Sequence, residues 1–280
     1  MKSRNTKAIA SICVAAAFAA CSLASKQIKT EQEQPAGADE PKWESADLTS
    51  LPLSDHPALL ADLADALCTW PAPYGQKRYA MRLAAHALSL DKKNKAIALV
   101  HARASFFAAD IAPDDSLVAK FAEAGVSSAR LAGINKDNPK ACYYFALNQG
   151  LILQRKGLLA LSKLPEVAEA LKTASAADSI DWGGPLRVLG MLYLKAPAWP
   201  TGIGDLDKSL NLLAEAVKKY PIHPLNHIFY AEALIEDDNK EEAKKCLDIA
   251  ERLAVPEIWG PHYATRWQAE ISRLRKKTAD

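Results

Sequence analysis

The chain has 280 residues, and its hydrophobic share of 49% is enough for a substantial core. Its 35 Lys and Arg nearly balance 33 Asp and Glu, so there is no basic footprint for nucleic acid and no polybasic patch for an anionic membrane. Five cysteines in a chain of this length do not make the disulfide framework of a small, core-poor domain.

Lys2, Arg4 and Lys7 precede a run of apolar and small residues from Ala8 to Ala20. A charged start, an apolar stretch and small residues before a cleavage point predict a secretory signal over residues 1–20. The run is well short of the roughly 20 apolar residues that a spanning helix needs. It ends at Phe18-Ala19-Ala20-Cys21, which resembles the lipobox of bacterial lipoproteins, with Phe18 where Leu is usual. That resemblance implies a lipid on Cys21; ordinary cleavage after Ala15-Ala16-Ala17 is the alternative. Loss of the leader takes the formal charge from +2 to −1, which leaves the anchor as the only route to a membrane. Residues 21–50 are polar and charge-mixed, and they read as a disordered tether because they cannot bury enough surface to order themselves. Ser22 after the cysteine resembles lipoproteins sent to the outer membrane, which implies a bacterial envelope protein facing the periplasm.

Residues 51–280 read as one all-α domain. Ala and Leu recur at spacings of three and four, as in Leu83-Ala84-Ala87-Leu88 and Leu210-Leu213-Ala214-Val217, the stripe of amphipathic helices that pack on each other. Small residues recur at Ala87, Ala129, Ala174, Ala216 and Ala250, each on the second helix of a pair. The last spacing is 34 residues, the tetratricopeptide period. Small side chains suit these positions because the two helices of a pair cross closely. The pattern predicts tetratricopeptide-like helix pairs, about four to five units, forming a superhelical solenoid. Residues 258–277, with Trp259 and Trp267, predict a C-terminal capping helix.

The run from Asp181-Trp182-Gly183-Gly184-Pro185 to Ala196-Pro197, with Trp199-Pro200, Gly204-Asp205, Asn226-His227, Glu232-Ala233-Leu234 and Tyr143-Tyr144-Phe145, is similar to the T-component lipoproteins associated with TRAP transporters. The resemblance spans roughly residues 95–255. It implies a periplasm-facing helical-repeat lipoprotein paired with a periplasmic solute-binding protein, in some members as a homotrimer, with a role in uptake of an organic solute.

Chemistry is scarce along the chain. Gly202-Ile203-Gly204-Asp205 lacks the ending of a phosphate loop, and Asp205 is more simply a helix N-cap. Asp237-Asp238-Asn239 lacks the other ligands of a calcium loop. His223 and His227 are separated by Pro224 and have no third ligand, so no metal is expected. His86, His101 and His262 read as polar residues on helices. No cofactor and no catalytic group is expected, and Cys68, Cys142 and Cys246 read as buried thiols. In a superhelix, the first helix of each pair would line the concave side. That register makes Arg103, Phe106, Tyr143, Leu147, Arg187, Met191, Ile228 and Glu232 the candidate binding residues, with Arg103 and Arg187 as anion contacts. Such a surface suits a partner segment or a hydrophobic or amphiphilic organic acid, unless the insertions or the C-terminal helix cover it. A general cell-envelope scaffold of the tetratricopeptide class, with an envelope protein as partner and no solute, is the alternative.

Overall fold

The computed structural model describes residues 55–156, 162–198, 200 and 202–279. The signal, Cys21 and the tether expected over residues 1–50 lie outside the described residues. Ten helices follow one another in pairs: α1 (Pro57–Leu67) and α2 (Tyr74–Leu90), α3 (Lys95–Asp110) and α4 (Asp115–Ala132), α5 (Pro139–Lys156) and α6 (Leu164–Ala174), α7 (Gly184–Lys195) and α8 (Leu206–Lys219), α9 (Pro224–Glu236) and α10 (Lys240–Leu253). A short α11 (Pro256–Trp259) and a long α12 (Pro261–Ala279) complete the chain. Among the described residues there is no strand, only an isolated bridge between Ala198 and Gly204. The fold is all-α. No described helix is long and apolar enough to cross a membrane.

Local chemistry sets the helix starts. Asn94 caps α3 by accepting from the Ala96 and Ile97 amides at 3.1 and 3.2 Å. Asp114 does the same for α4 with Ser116 and Leu117. Asp205 caps α8 by accepting from Lys208 N–H at 3.0 Å, the role its place after a glycine predicted. Proline opens the first turn of α1, α6, α7, α9 and α11, where its missing N–H has no helical partner to lose.

From α1 to α10 each helix packs on the next, α11 packs on α12, and α1 packs on α3, α3 on α5, and α7 on α9. The five small positions read from the sequence all fall on the second helix of a pair, and none has any exposed surface. At Gly190, on α7, a methyl group would sit 2.7 Å from Leu213 Cγ of α8, so this crossing requires a glycine.

The C-terminal stretch departs from the expected single helix. Gly260, at φ +79°, breaks it after α11, and a side chain there would lie 2.7 Å from the Pro71 carbonyl oxygen. That close approach brings the α1–α2 connection against the end of the chain. α12 packs on α9 and α10, as a cap on the last unit would. It also reaches α3, where the Tyr263 hydroxyl donates to Asp110 at 2.9 Å across 153 residues of sequence. α12 therefore joins α9 and α10 to the end of α3.

Candidate functional site

The segment joining α6 to α7 turns through three consecutive left-handed residues, Asp181 (φ +46°), Trp182 (φ +49°) and Gly183 (φ +84°). Glycine adopts this backbone freely, but Asp and Trp each resist it by about 1–3 kcal/mol. The surroundings fix the corner. Arg187, 2% exposed, donates to the Asp181 and Trp182 carbonyls, each at 3.2 Å, and to Asn226 Oδ1 at 2.7 Å. Asn226 of α9, fully buried, donates back to the Trp182 carbonyl at 3.1 Å and to Tyr220 O at 2.8 Å. Asp178, at the start of the turn, accepts from Lys219 and from the Tyr220 hydroxyl. A side chain on Gly183 would meet the Tyr220 ring at 2.8 Å, and one on Gly184 would meet the Tyr143 hydroxyl.

The corner presents two groups that are not fully buried. Trp182 is 44% exposed, with its ring centroid 6.2 Å from His223 and 6.0 Å from Trp259. Asp181 keeps partial exposure and accepts a long hydrogen bond, 3.4 Å, from the Tyr144 hydroxyl. Burial raises the Asp181 carboxyl above its ordinary range, against the pull of Arg187 and Arg103. Arg103, on α3, bonds Asp65 at 2.7 Å and lies 5.3 Å from the centre of the Phe107 ring.

Behind Trp182 is a packed cluster of aromatic rings. Trp70 packs against both large core clusters and stacks edge-on with Phe107, Tyr263 and Trp259. His223, with no exposed surface, lies 4.6 Å from Trp259, 5.5 Å from Trp70 and 5.7 Å from Trp267, centroid to centroid. His223 caps α9: its Nδ1 accepts from Leu225 N–H at 3.2 Å, which places the proton of the neutral ring on Nε2. Burial, with help from Arg187 and His227, holds its pKa well below the ordinary value, so the ring is neutral. Lys77 is also fully buried. Its ammonium donates to the Trp70 carbonyl at 2.9 Å and sits 4.4 Å over the Tyr263 ring, and burial lowers its pKa to about 8. Asp110 pairs with Arg266 at 3.2 Å. Trp70 Nε1, His223 Nε2, Arg187 Nε and Arg266 Nη2 are buried donors with no acceptor among the described residues.

The register-derived residues are less open than expected. Phe106, Tyr143, Leu147, Arg187, Met191, Ile228 and Glu232 are all buried, and only Arg103 keeps appreciable exposure, 23% of its side chain. The reason is packing. Met191 and Ile228 share a core cluster with Tyr263, Trp267 and Ile271 of α12. Glu232 is held between Lys195 at 2.7 Å and Arg273 of α12 at 2.9 Å. Burial alone would raise the Glu232 carboxyl, but these two cations hold it below its usual range. Arg187 faces backbone carbonyls and Asn226, so its role here is to hold the corner and not to meet an outside anion; the expectation for that residue is corrected on this geometry. Arg103 and Tyr144 stand with Asp181, whereas Met191, Ile228 and Glu232 belong to the seam with α12.

Register alone did not single out Trp70, Lys77, Asp181, Trp182, His223 or Trp259 as site residues. The one available cue was Asp-Trp-Gly-Gly before a proline, a turn signal that does not reveal which residues turn left-handed. A concavity of about 220 Å³ lies between Ile134, Cys142, Phe145, Glu166 and Ala170. It is smaller than usual ligand sites, and Glu166 is engaged by Arg130 at 2.6 Å. Cys68, Cys142 and Cys246 are buried, unbridged thiols, and burial lifts the Cys68 pKa to about 12, which removes it as a nucleophile. Among the described residues no three His, Cys, Asp or Glu side chains gather as a metal site. The sequence matches no family model and no curated protein, so the arrangement of side chains is what bears on function.

Proposed function

We propose that the chain is a non-enzymatic, periplasm-facing lipoprotein that handles a solute or a protein partner as an accessory to a TRAP-type uptake system. In this reading the five helix pairs form a tetratricopeptide-like superhelix, α12 closes one side, and lipid on Cys21 holds the molecule at the outer membrane. The observation that carries the proposal is the Asp181–Trp182 corner. A left-handed Trp is costly, and strained backbone of this kind concentrates at ligand clamps. Here the strain serves to put a partly exposed indole and a carboxylate at the edge of a packed aromatic cluster. Nothing in the site pairs a nucleophile with a base, so the arrangement suits binding and not bond-making.

The test is capture from membranes with the intact protein, followed by mass spectrometry of what co-elutes. Recovery of a periplasmic solute-binding protein and a permease, reduced by Trp182→Ala, supports the transport role. Recovery of envelope-assembly proteins alone, equal with Trp182→Ala, would replace it by the scaffold role. Cys21→Ser should move the protein out of the membrane fraction or leave it unprocessed, and membrane association unaltered by that change would remove the lipid anchor.

A further inference from the structure

We propose that Lys92, Lys93, Lys95, Lys136 and Lys140 form one face that lies against anionic phospholipid headgroups and stands the helical domain on the membrane. This rests on the reading of the chain as a lipid-anchored envelope protein, and it adds a second, electrostatic contact to that anchor.

The fold gathers these charges. They come from the α2–α3 and α4–α5 turns, whose first lysines are 44 residues apart in sequence, so chain order shows no polybasic run. Ala98 of α3, Ala132 of α4 and Ala141 of α5 form one small core cluster, with Leu88 of α2 packed on it, which brings both turns to one end. The Asn138 side chain ties down the second turn by donating to the Ala132 carbonyl at 3.1 Å, and Asn94 caps α3 in the first. All five lysines are exposed, and none has a bonded or ion-paired partner among the described residues. By contrast, Lys244 and Lys245 of α10 pair with Glu241 and Glu242 one turn away. The aspartates at this end are Asp55, Asp91 and Asp137, and Asp91 already accepts from Asn94 Nδ2 at 2.9 Å. Lys172 and Glu169 on the adjoining α6 pair with each other. The surplus of two positive charges here equals that of the entire chain.

The anchor joins the domain at the same end. Leu60, near the start of α1, shares a core cluster with Ala87, near the end of α2, and Ile97, near the start of α3. α1 therefore begins on the side of the first basic turn, and the chain that leads back to Cys21 enters there. A lipid on Cys21 holds this end within reach of the bilayer, so the lysines meet the headgroups at high effective concentration. Each lysine adds a modest attraction that falls off within a Debye length, about 10 Å at 0.1 M salt. A lipid chain combined with a basic face makes a two-signal attachment.

Apolar side chains stand among these lysines. Leu90 and Leu131, in the last turns of α2 and α4, are 46% and 38% exposed. Aliphatic groups interspersed with lysine suit the boundary between headgroups and acyl chains. An acidic protein segment would also satisfy the lysines, but it gives no reason for the anchor to enter at the same end.

Lysine modification by a membrane-impermeant amine reagent, read residue by residue with mass spectrometry, tests this on the intact protein bound to the outside of preformed vesicles. On equimolar phosphatidylglycerol and phosphatidylcholine the five lysines should react at least threefold more slowly than on phosphatidylcholine alone. Lys120, exposed on α4 about 18 Å from its C-terminal end, should react equally on both. The protection should vanish at about 1 M salt, where the Debye length is about 3 Å. The fourfold surface variant Lys92→Gln/Lys93→Gln/Lys136→Gln/Lys140→Gln should return Lys95 to its phosphatidylcholine rate. Equal modification on the two vesicles, or protection that persists in high salt or in the fourfold variant, would overturn the proposal. Protection found in native envelopes but absent on phosphatidylglycerol vesicles would do the same and assign the face to an acidic protein. Failure to float with phosphatidylcholine vesicles would remove the lipid anchor alone, and phosphatidylglycerol vesicles added to the same protein would still decide the lysine face.

Discussion

Arg187 and Arg103 show how much a side chain's meaning depends on its surroundings. Both are cations on the first helix of a pair, and sequence periodicity gives them the same expected role. Arg187 donates three hydrogen bonds inside the protein and holds the carbonyls of a left-handed corner, whereas Arg103 makes a partly exposed ion pair with Asp65. Arg187→Met should therefore destabilise the fold on the order of 2–4 kcal/mol, because it leaves buried acceptors unmatched and releases a strained turn. Arg103→Met should cost under about 1 kcal/mol, as exposed ion pairs do. Urea denaturation of the two variants decides between these, and equal losses would contradict the structural assignment of Arg187. The corner itself was only half legible. Gly183-Gly184-Pro185 announces a turn before a helix, but the left-handed conformation of Trp182 comes from Arg187 and Asn226, and Asn226 lies 44 residues away in sequence from that carbonyl.

At the level of elements, helices packed on their neighbours were legible because their requirements are local. Close crossing demands a small residue at a fixed place, and the chain supplies Ala87, Ala129, Ala174, Ala216 and Ala250 there, each with no exposed surface. Gly190 is the tightest test of that register. Gly190→Leu should overpack the α7–α8 crossing against Leu213 and cost about 1–3 kcal/mol, read as a shift of the denaturation midpoint with unchanged helical content. A neutral outcome would mean that α8 moves aside freely and that the crossing is not close. The C-terminal element was legible as a helix with an apolar face, but not its division into α11 and α12. Gly260 makes that break because the Pro71 backbone passes too close for any side chain.

At the level of the whole molecule, the closure of α12 onto α3 buries charges that an open superhelix would leave in water. Lys77 is the clearest case. Its folded pKa, about 8, lies below the ordinary 10.5, so the unfolded chain binds more protons between those values. The cost of the buried ammonium is fully present below about pH 8, on the order of 3 kcal/mol, and it is relieved as pH rises towards 10.5. Wild type should thus gain about 2 kcal/mol relative to Lys77→Met between pH 7.5 and 10 in urea titrations. Parallel profiles for the two proteins would show that Lys77 stays hydrated and that α12 does not seal this region.

The sequence by itself determined the all-α class, the helix cap at Asp205 and the small residues at helix crossings. All of these follow from interactions within a helix or between neighbouring helices. The tertiary structure alone decided which apolar faces stay open. A first-helix face needs the same apolar residues whether it meets a ligand or another helix, so Met191 and Ile228 read identically in either case. The decision rests on contacts such as Tyr263 to Asp110, which join positions 153 residues apart and leave no periodic trace in the chain.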